Sequence, residues 1–158
     1  MRIIVVSDTH RDFRPFYDIV LRYQEEANLF LHLGDGEREV DEIKDLFPNL
    51  PIRNVRGNGD MLSLAPAVDV FEAGGVRILM AHGHTFHVKS GIGDLERTAR
   101  NSGCSIALYG HTHIADNHYE DGLYTMNPGS PSCPKEGKPS FGVIDIMPNG
   151  IMPFLVNL

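Results

Sequence analysis

Cysteine is scarce in this sequence of 158 residues, which contains only Cys104 and Cys133. The two residues are far apart, and neither belongs to a Cys-x-x-Cys pair. This spacing excludes a zinc knuckle and a dithiol redox motif. Two reduced thiols fit a cytosolic compartment.

Long apolar runs are absent as well. No stretch approaches the roughly 20 apolar residues that cross a bilayer, so no membrane span is expected. The N-terminal run from Met1 to Val6 is apolar but short, and Asp8 and His10 follow it without a small-residue cleavage site. The run therefore predicts a first strand rather than a secretion signal, and the protein is expected in the cytoplasm.

Basic runs are also missing, and acidic residues outnumber basic ones by 21 to 14, which gives a net charge of −7. A protein that binds long nucleic acid through its phosphates normally carries a basic face, so no polynucleotide partner is expected. A small phosphate ester held by metal ions remains compatible with this charge, because bound cations would concentrate positive charge where the anion binds.

The first third of the chain alternates predicted strands with predicted helices. Short Val- and Ile-rich runs predict strands at 2–7, 28–33 and 51–56. Apolar residues at helical spacing predict one helix from 13 to about 27 and a second over 40–47, before Pro48. This β-α-β-α-β order is typical of a parallel sheet whose ligands bind beyond the carboxyl ends of its strands.

The rest of the chain is richer in strands, which argues against a plain doubly wound sheet. Runs at 68–72 and 76–80 predict a hairpin across Gly74-Gly75. A helix around 92–99 is expected to end at Gly103. Further strands are predicted at 105–109, 114–119, 123–126, 141–146 and 151–156. No repeat or linker interrupts the pattern, so a single domain over residues 1–158 is expected.

Five short polar segments follow five of these predicted strands. They are Asp8-Thr9-His10, Gly34-Asp35-Gly36, Gly57-Asn58-Gly59-Asp60, His82-Gly83-His84 and Gly110-His111-Thr112-His113. Any one of them has a structural explanation, because Asp and Thr cap helices and Gly-Asp or Gly-Asn form tight turns. Together they supply Asp, Asn and His, which are oxygen and nitrogen ligands for metals. We interpret the set as one hydrolytic site that holds two metal ions.

In this order the five segments resemble the signature of the calcineurin-like metallophosphoesterases, over residues 3 to about 146. The short length and the segment Asn127-Pro128-Gly129-Ser130 are similar to the small YfcE-like phosphodiesterase branch. The resemblance implies a four-layer α/β/β/α sandwich, in which two mixed sheets pack face to face with helices outside. It also implies hydrolysis of a small phosphate ester, above all a phosphodiester.

The same resemblance assigns metal ligands position by position. It places Asp8, His10 and His113 on a first metal, and Asn58, His82 and His111 on a second, with Asp35 bridging both. Hydroxide shared by the two metals would attack phosphorus in line. The ligand set suits transition metals, and manganese is expected from the family, with Fe, Zn, Ni and Co as alternatives.

Three positions depart from the family pattern. Many relatives carry a histidine at the position of Gly59, where it is thought to protonate the leaving group. We hypothesise that His84 takes part of this catalytic role, or that the leaving group is good enough to need little help. Arg11 replaces a small residue and is either a phosphate contact or a solvated arginine at a helix start. Lys135 stands where relatives tend to carry an arginine, and lysine lacks a bidentate grip on phosphate.

The remaining histidines are expected to be structural. His32 is expected to hydrogen-bond inside a buried strand, and His87 and His118 to be exposed. Asp60 is expected to orient a ligand or His84.

Two alternatives to the phosphodiesterase remain open. One is a phosphomonoesterase of the same fold, and the other is a non-catalytic protein-binding module of the retromer-subunit type. A homo-oligomer is compatible with the family.

Overall fold

The computed structural model describes residues 1–158 and contains ten strands and three α-helices. The strands are β1 (Arg2–Val6), β2 (Leu29–His32), β3 (Ile52–Asn54), β4 (Val68–Ala73), β5 (Val76–Ala81), β6 (Ile106–Leu108), β7 (Asp116–Glu120), β8 (Leu123–Asn127), β9 (Ser140–Met147) and β10 (Gly150–Asn157). The helices are α1 (Phe13–Tyr23), α2 (Glu37–Leu46) and α3 (Gly93–Asn101), and short 3₁₀ turns cover His84–Phe86 and Val88–Ser90.

The first sheet has the strand order β10-β9-β1-β2-β3. Strands β1, β2 and β3 run parallel, with Ile3 opposite Leu29 and Phe30 opposite Ile52, which confirms the predicted β-α-β-α-β unit. Strands β9 and β10 extend the sheet in the antiparallel direction.

The second sheet has the order β4-β5-β6-β8-β7. Strands β4 and β5 form the predicted hairpin, in which Ala73 pairs with Val76. Strands β5, β6 and β8 are parallel neighbours, and β7 closes the sheet antiparallel to β8. Both sheets are therefore mixed, as the resemblance implied.

The apolar side chains of β1 show how the layers form. Ile3 and Val5 belong to a core between the two sheets that also contains Ile78 and Leu108. Ile4 and Val6 point to the other face, where they pack in a second core with residues of α1 and α2. This alternation buries the strand on both faces. A third core lies between the second sheet and α3, so the order of layers is helix, sheet, sheet, helix, which confirms the predicted sandwich.

The predicted end of the first helix was wrong by about one turn. Helix α1 ends at Tyr23. The Glu26 and Ala27 N–H groups both donate to the Tyr23 carbonyl, over 3.0 and 2.8 Å, and this shared acceptor closes a single turn after the helix. At the other predicted terminus, Gly103 follows α3 with a φ of 68°, which agrees with its expected role.

The topology brings the carboxyl ends of β1, β2 and β3 to the same edge of the sandwich as those of β5 and β6. All five polar segments of the sequence follow one of these ends. None of the helices is both long enough and apolar enough to cross a bilayer.

Candidate metal centre

Six of the predicted ligands meet at this edge, three from each sheet. Asp8, His10 and Asp35 follow strands of the first sheet, and His82, His111 and His113 follow strands of the second. Ligand atoms of five of them form two groups, Asp8 with His10 and His113, and Asp8 with Asp35 and His82, and within each group they lie within 4.8 Å of one another. The sixth, His111, lies beside His82. Asp8 belongs to both groups, so it lies at the centre of the site.

His10 and His113, which we call the outer pair, face each other beside Asp8. Their Nε2 atoms are 3.0 Å apart. The Asp8 Oδ1 atom lies 3.2 Å from Nε2 of His113 and 3.7 Å from Nε2 of His10. Nδ1 of His113 donates to the Cys133 carbonyl over 2.8 Å, which leaves the lone pair on Nε2 directed into the site.

His82 and His111, which we call the inner pair, come together behind Asp35. Nε2 of His82 lies 3.1 Å from Nδ1 of His111. Nδ1 of His82 donates to the Leu33 carbonyl over 2.8 Å, so its Nε2 also directs a lone pair into the site. The Asp35 Oδ2 atom is 3.5 Å from Nε2 of His82 and 3.9 Å from Nε2 of His10, and it therefore faces both pairs.

The Asp8 carboxylate is fully buried, and only one of its oxygens is hydrogen-bonded. Its Oδ2 accepts the Ser7 hydroxyl over 2.6 Å and the His111 N–H over 3.0 Å. Its Oδ1 is buried with no hydrogen-bond partner. An unpaired buried carboxylate oxygen is costly. Because Oδ1 lies among the imidazole nitrogens of His10, His82 and His113, the donor set fits a divalent transition metal.

The backbone is strained at the same residues. Of the eight non-glycine residues with positive φ, six lie in the site and the other two are His87 and Asp121. The six are Asp8, His10, Arg11, Asp35, His111 and His113, with φ between 48° and 68°. Such conformations cost free energy for residues with a side chain and cluster at functional sites. The concentration here indicates that side-chain placement outweighs backbone preference.

Asp60 orients the turn that carries Asp35. Its carboxylate accepts the backbone N–H groups of Asp35, Gly36, Glu37 and Gly57 over 2.8 to 3.1 Å. Burial alone raises the pKa of the Asp60 carboxyl, but these N–H groups lower it overall. A Cβ atom at Gly57 would collide with the Asp35 carboxylate, so the close approach of the two loops requires glycine there.

The segment from Asn127 to Ser130 hydrogen-bonds to two of the loops that carry the predicted ligands. The Asn127 amide donates to the Gly110 carbonyl over 3.0 Å, and the Ser130 hydroxyl donates to the Asp8 carbonyl over 2.7 Å. At Gly110 a Cβ atom would collide with the Ser7 hydroxyl and the Asp8 carboxylate. These contacts explain how a segment outside the metal-binding motifs supports them.

The surroundings shift the histidine pKa values in opposite directions. The Asp8 carboxylate, whose Oδ1 atom lies 3.2 and 3.7 Å from their Nε2 atoms, raises the pKa of His113 and His10. Burial, together with the charge of His82, lowers the pKa of His111 to about 4. Burial by itself raises the pKa of the Asp8 carboxyl, but the His10 and His113 imidazoles lower it overall.

The other predicted site residues lie around this cluster. Asn58 is exposed on the loop after β3, between two glycines that contact Asp35. His84 is half-buried, with its ring centroid 5.4 Å from that of His82, and its Nδ1 is buried without a partner. Arg11 is exposed and lines a cavity of about 650 Å³ together with His10 and Asp35. The backbone N–H of Lys135 donates to the His113 carbonyl over 3.1 Å.

Two of the structural expectations for the remaining histidines hold and one is wrong. His32 is buried and bonded to the Thr9 hydroxyl and the Gly34 N–H, and His87 is exposed. His118 was expected to be exposed but is half-buried, because β7 packs it against Glu96 and Thr125.

Sequence reasoning missed Glu39, which lines the same cavity as His10. Its carboxyl is buried, its Oε1 has no hydrogen-bond partner, and burial raises its pKa. The apolar spacing of Val40 and Ile43 indicated a buried helix face, but nothing in the sequence separates Glu39 from the other acidic residues of α2.

Comparison with known proteins agrees with this geometry. The model of the calcineurin-like phosphoesterase superfamily domain matches residues 1–149. The chain is 30% identical over 136 residues to the probable metallophosphoesterase YsnB of Bacillus subtilis, which covers 85% of this chain and 78% of YsnB. It is 36% identical over 70 residues to the phosphodiesterase YfcE of Escherichia coli, 44% of this chain and 34% of YfcE.

A solved structure of Vps29 from Entamoeba histolytica complexed with Zn²⁺ superimposes with a TM-score of 0.74. The two chains are 22% identical, and the match covers 99% of this chain and 98% of Vps29. At this identity the similarity shows a common fold and no more.

Proposed function

This chain belongs to the calcineurin-like phosphoesterase superfamily, and from that premise we propose that it hydrolyses a small phosphate ester, preferentially a diester, at the edge where its two sheets meet. The observation that carries the proposal is the buried, unpaired Oδ1 of Asp8, which lies among imidazole nitrogens from the opposite sheet.

The proposed ligands divide between two divalent cations. Asp8 and the outer pair would hold the first, and Asn58 and the inner pair would hold the second. Asp35 would be shared, since its Oδ2 faces a histidine of each pair. We propose manganese, with Fe, Zn, Ni and Co as alternatives that the donor set also suits. When bound, such cations supply Lewis acidity toward phosphoryl oxygen and lower the pKa of water.

In this proposal, side chains of the protein bind the phosphate and supply the proton that the leaving group takes up. Arg11 at the cavity mouth offers a guanidinium to the phosphate. His84 would protonate the leaving group, because Gly59 provides no side chain for that step. Burial lowers the pKa of His84, so its protonated form is scarce at pH 7 and its help should increase as the pH falls.

The direct test is hydrolysis of bis(4-nitrophenyl) phosphate and 4-nitrophenyl phosphate by the manganese-loaded protein. The diester should react faster, and a chelator should abolish both reactions. His111→Ala should lower the rate by about a thousandfold, because a metal ligand is lost. The matched control is His87→Ala, at an exposed histidine outside the site. Hydrolysis that survives the chelator or the His111 substitution would contradict the proposal.

The role of His84 is tested with leaving groups of different quality. His84→Ala should slow an alkyl ester, whose poor leaving group needs a proton, by roughly a hundredfold, and should barely affect a nitrophenyl ester. Equal rates for wild type and variant on both esters would remove His84 from the mechanism.

A non-catalytic protein-binding module of the retromer-subunit type is the second candidate. That module was expected to lack ligands, whereas all seven predicted positions are filled here. Metal binding does not separate the two functions, because the Vps29 structure itself holds zinc. Hydrolysis does separate them, and a metal-loaded protein without any phosphoesterase activity would favour the binding module.

A further inference from the structure

The loop that follows Asp60 exposes three large apolar side chains within four residues. Met61 is 89% exposed, Leu62 is 96% exposed and Leu64 is 99% exposed. Single exposed apolar residues are common on protein surfaces, but a contiguous group beside a functional site usually has a ligand or partner.

The backbone of this loop is held in place at both ends. The Ser63 N–H donates to the Asp60 carbonyl over 3.1 Å, and its hydroxyl is bonded to the Glu37 carboxylate on α2. Arg56 binds the far end, through its N–H to the Pro66 carbonyl and its side chain to the Ala65 carbonyl, both over 3.0 Å. The position of the apolar side chains relative to the metal centre is therefore defined by the fold.

Two of the three side chains face the site. Met61 and Leu62 are the only apolar residues that line the 650 Å³ cavity, which they share with His10 and Asp35, and Leu64 lies outside it. A cavity in the range of about 300–1,000 Å³ holds a whole small molecule, so this one has room for more than a phosphate group.

We infer that Met61 and Leu62 form an apolar wall of the substrate site that selects phosphate esters carrying an aryl or alkyl substituent. The inference rests on the proposed function, because the phosphate has to be held beside His10 and Asp35 for its substituent to reach the wall. Contact with the substituent removes apolar surface of both partners from water, which favours binding. A second copy of the chain would instead cover all three side chains, since Leu64 is as exposed as the others.

The test compares two simple ligands and two matched variants of the full-length protein loaded with manganese. Calorimetry measures the Kd of methylphosphonate and of benzylphosphonate, which present the same anion with and without an aromatic ring. The variants are the double substitution Met61→Ser/Leu62→Ser and the control Leu64→Ser. Thermal unfolding verifies that both fold, and sedimentation gives their oligomeric state.

Wild type and Leu64→Ser should bind benzylphosphonate roughly tenfold more tightly than methylphosphonate, and the double variant should lose this preference while keeping its affinity for methylphosphonate. Equal affinities of wild type for the two ligands would overturn the inference but leave the proposed function intact. A preference that the double variant keeps would also overturn it, as would a shared loss of self-association in both variants. Failure of wild type to bind either phosphonate would overturn the proposed function as well.

Discussion

The outer and inner histidine pairs contain the same side chain but differ in their surroundings. Both have ring nitrogens about 3 Å apart. The outer pair lies against the Asp8 Oδ1 atom, and this carboxylate raises the pKa of His10 and His113. In the inner pair, burial and a neighbouring imidazole lower the pKa of His111.

The two proposed metal positions therefore use the same side chain with different proton affinities. A raised pKa means that protons compete with a metal at the outer pair, whereas a lowered pKa keeps the His111 nitrogen available. His32, beneath the site, is an extreme case of burial without a carboxylate partner, and burial lowers its pKa to about 4.

Loss of Asp8 should reduce metal binding and hydrolysis most severely, because its ligand atom lies in both groups of ligand atoms. Asp8→Asn keeps the shape of the side chain but removes its charge. Manganese binding should be lost at the first position, which Asp8 would hold with the outer pair, and diester hydrolysis should drop at least about a thousandfold. Metal analysis and the nitrophenyl assay measure the two effects. The control is Asp12→Asn, an exposed carboxylate in the same loop. A variant that retains two ions and near-normal activity would show that Asp8 is not a ligand.

Replacing one histidine of either pair should empty one proposed metal position and leave the other occupied. His113→Ala and His111→Ala are each expected to retain one manganese ion of two, with hydrolysis reduced by about a thousandfold because a metal ligand is lost. The double variant should retain none, since each histidine serves a different ion. Calorimetric titration of the metal-free proteins counts the ions. One retained ion in the double variant would mean that both histidines bind the same metal.

The buried His32 should make the protein less stable at low pH. Its folded pKa of about 4 lies below the ordinary 6.5, so the unfolded chain takes up a proton that the folded chain does not. The free energy of unfolding should therefore fall by about 3 kcal/mol as the pH drops from 6.5 to about 4.

Urea unfolding in the presence of chelator measures this dependence for wild type and His32→Gln. The variant should lose the part of the slope that corresponds to one proton, and His87→Gln controls for replacement of a histidine as such. The same slope in wild type and His32→Gln would show that His32 does not cause the acid sensitivity.

Titration of the metal-free protein by NMR should resolve the smallest effect. The imidazole signals of His10 and His113 should shift at a pH above 6.5, and that of His111 should shift near pH 4. In Asp8→Asn the outer pair should titrate at lower pH, because the carboxylate that favours its charged form is gone. Coincident titration of all three histidines would remove the proposed difference between the pairs.

The local sequence predicted well those elements that are buried on both faces, such as β1. Residues Ile3 to Val6 are all apolar because β1 is covered on both faces, and the strand was predicted to within one residue. The end of α1 was missed, since the turn that ends the helix is closed by only two backbone bonds, from the Glu26 and Ala27 N–H groups to the Tyr23 carbonyl. The partial burial of His118 depends on packing against α3 and β8, which no local pattern records.

The sequence by itself determined which donors stand at the strand ends, because Asp, Asn and His next to glycine are written directly into the five polar segments. Only the tertiary structure decided how the donors are grouped. The Asp8 carboxylate accepts the N–H of His111, 103 residues later in the chain, and this contact exists because the core between the sheets brings their carboxyl ends to one edge. Hydrogen bonds from Ser63 and Arg56 hold the loop after Asp60, so that Met61 and Leu62, but not Leu64, line the cavity. Contacts between residues as far apart in the sequence as Asp8 and His111 depend on the relative position of whole layers, which is a property of the packed core and not of any short segment.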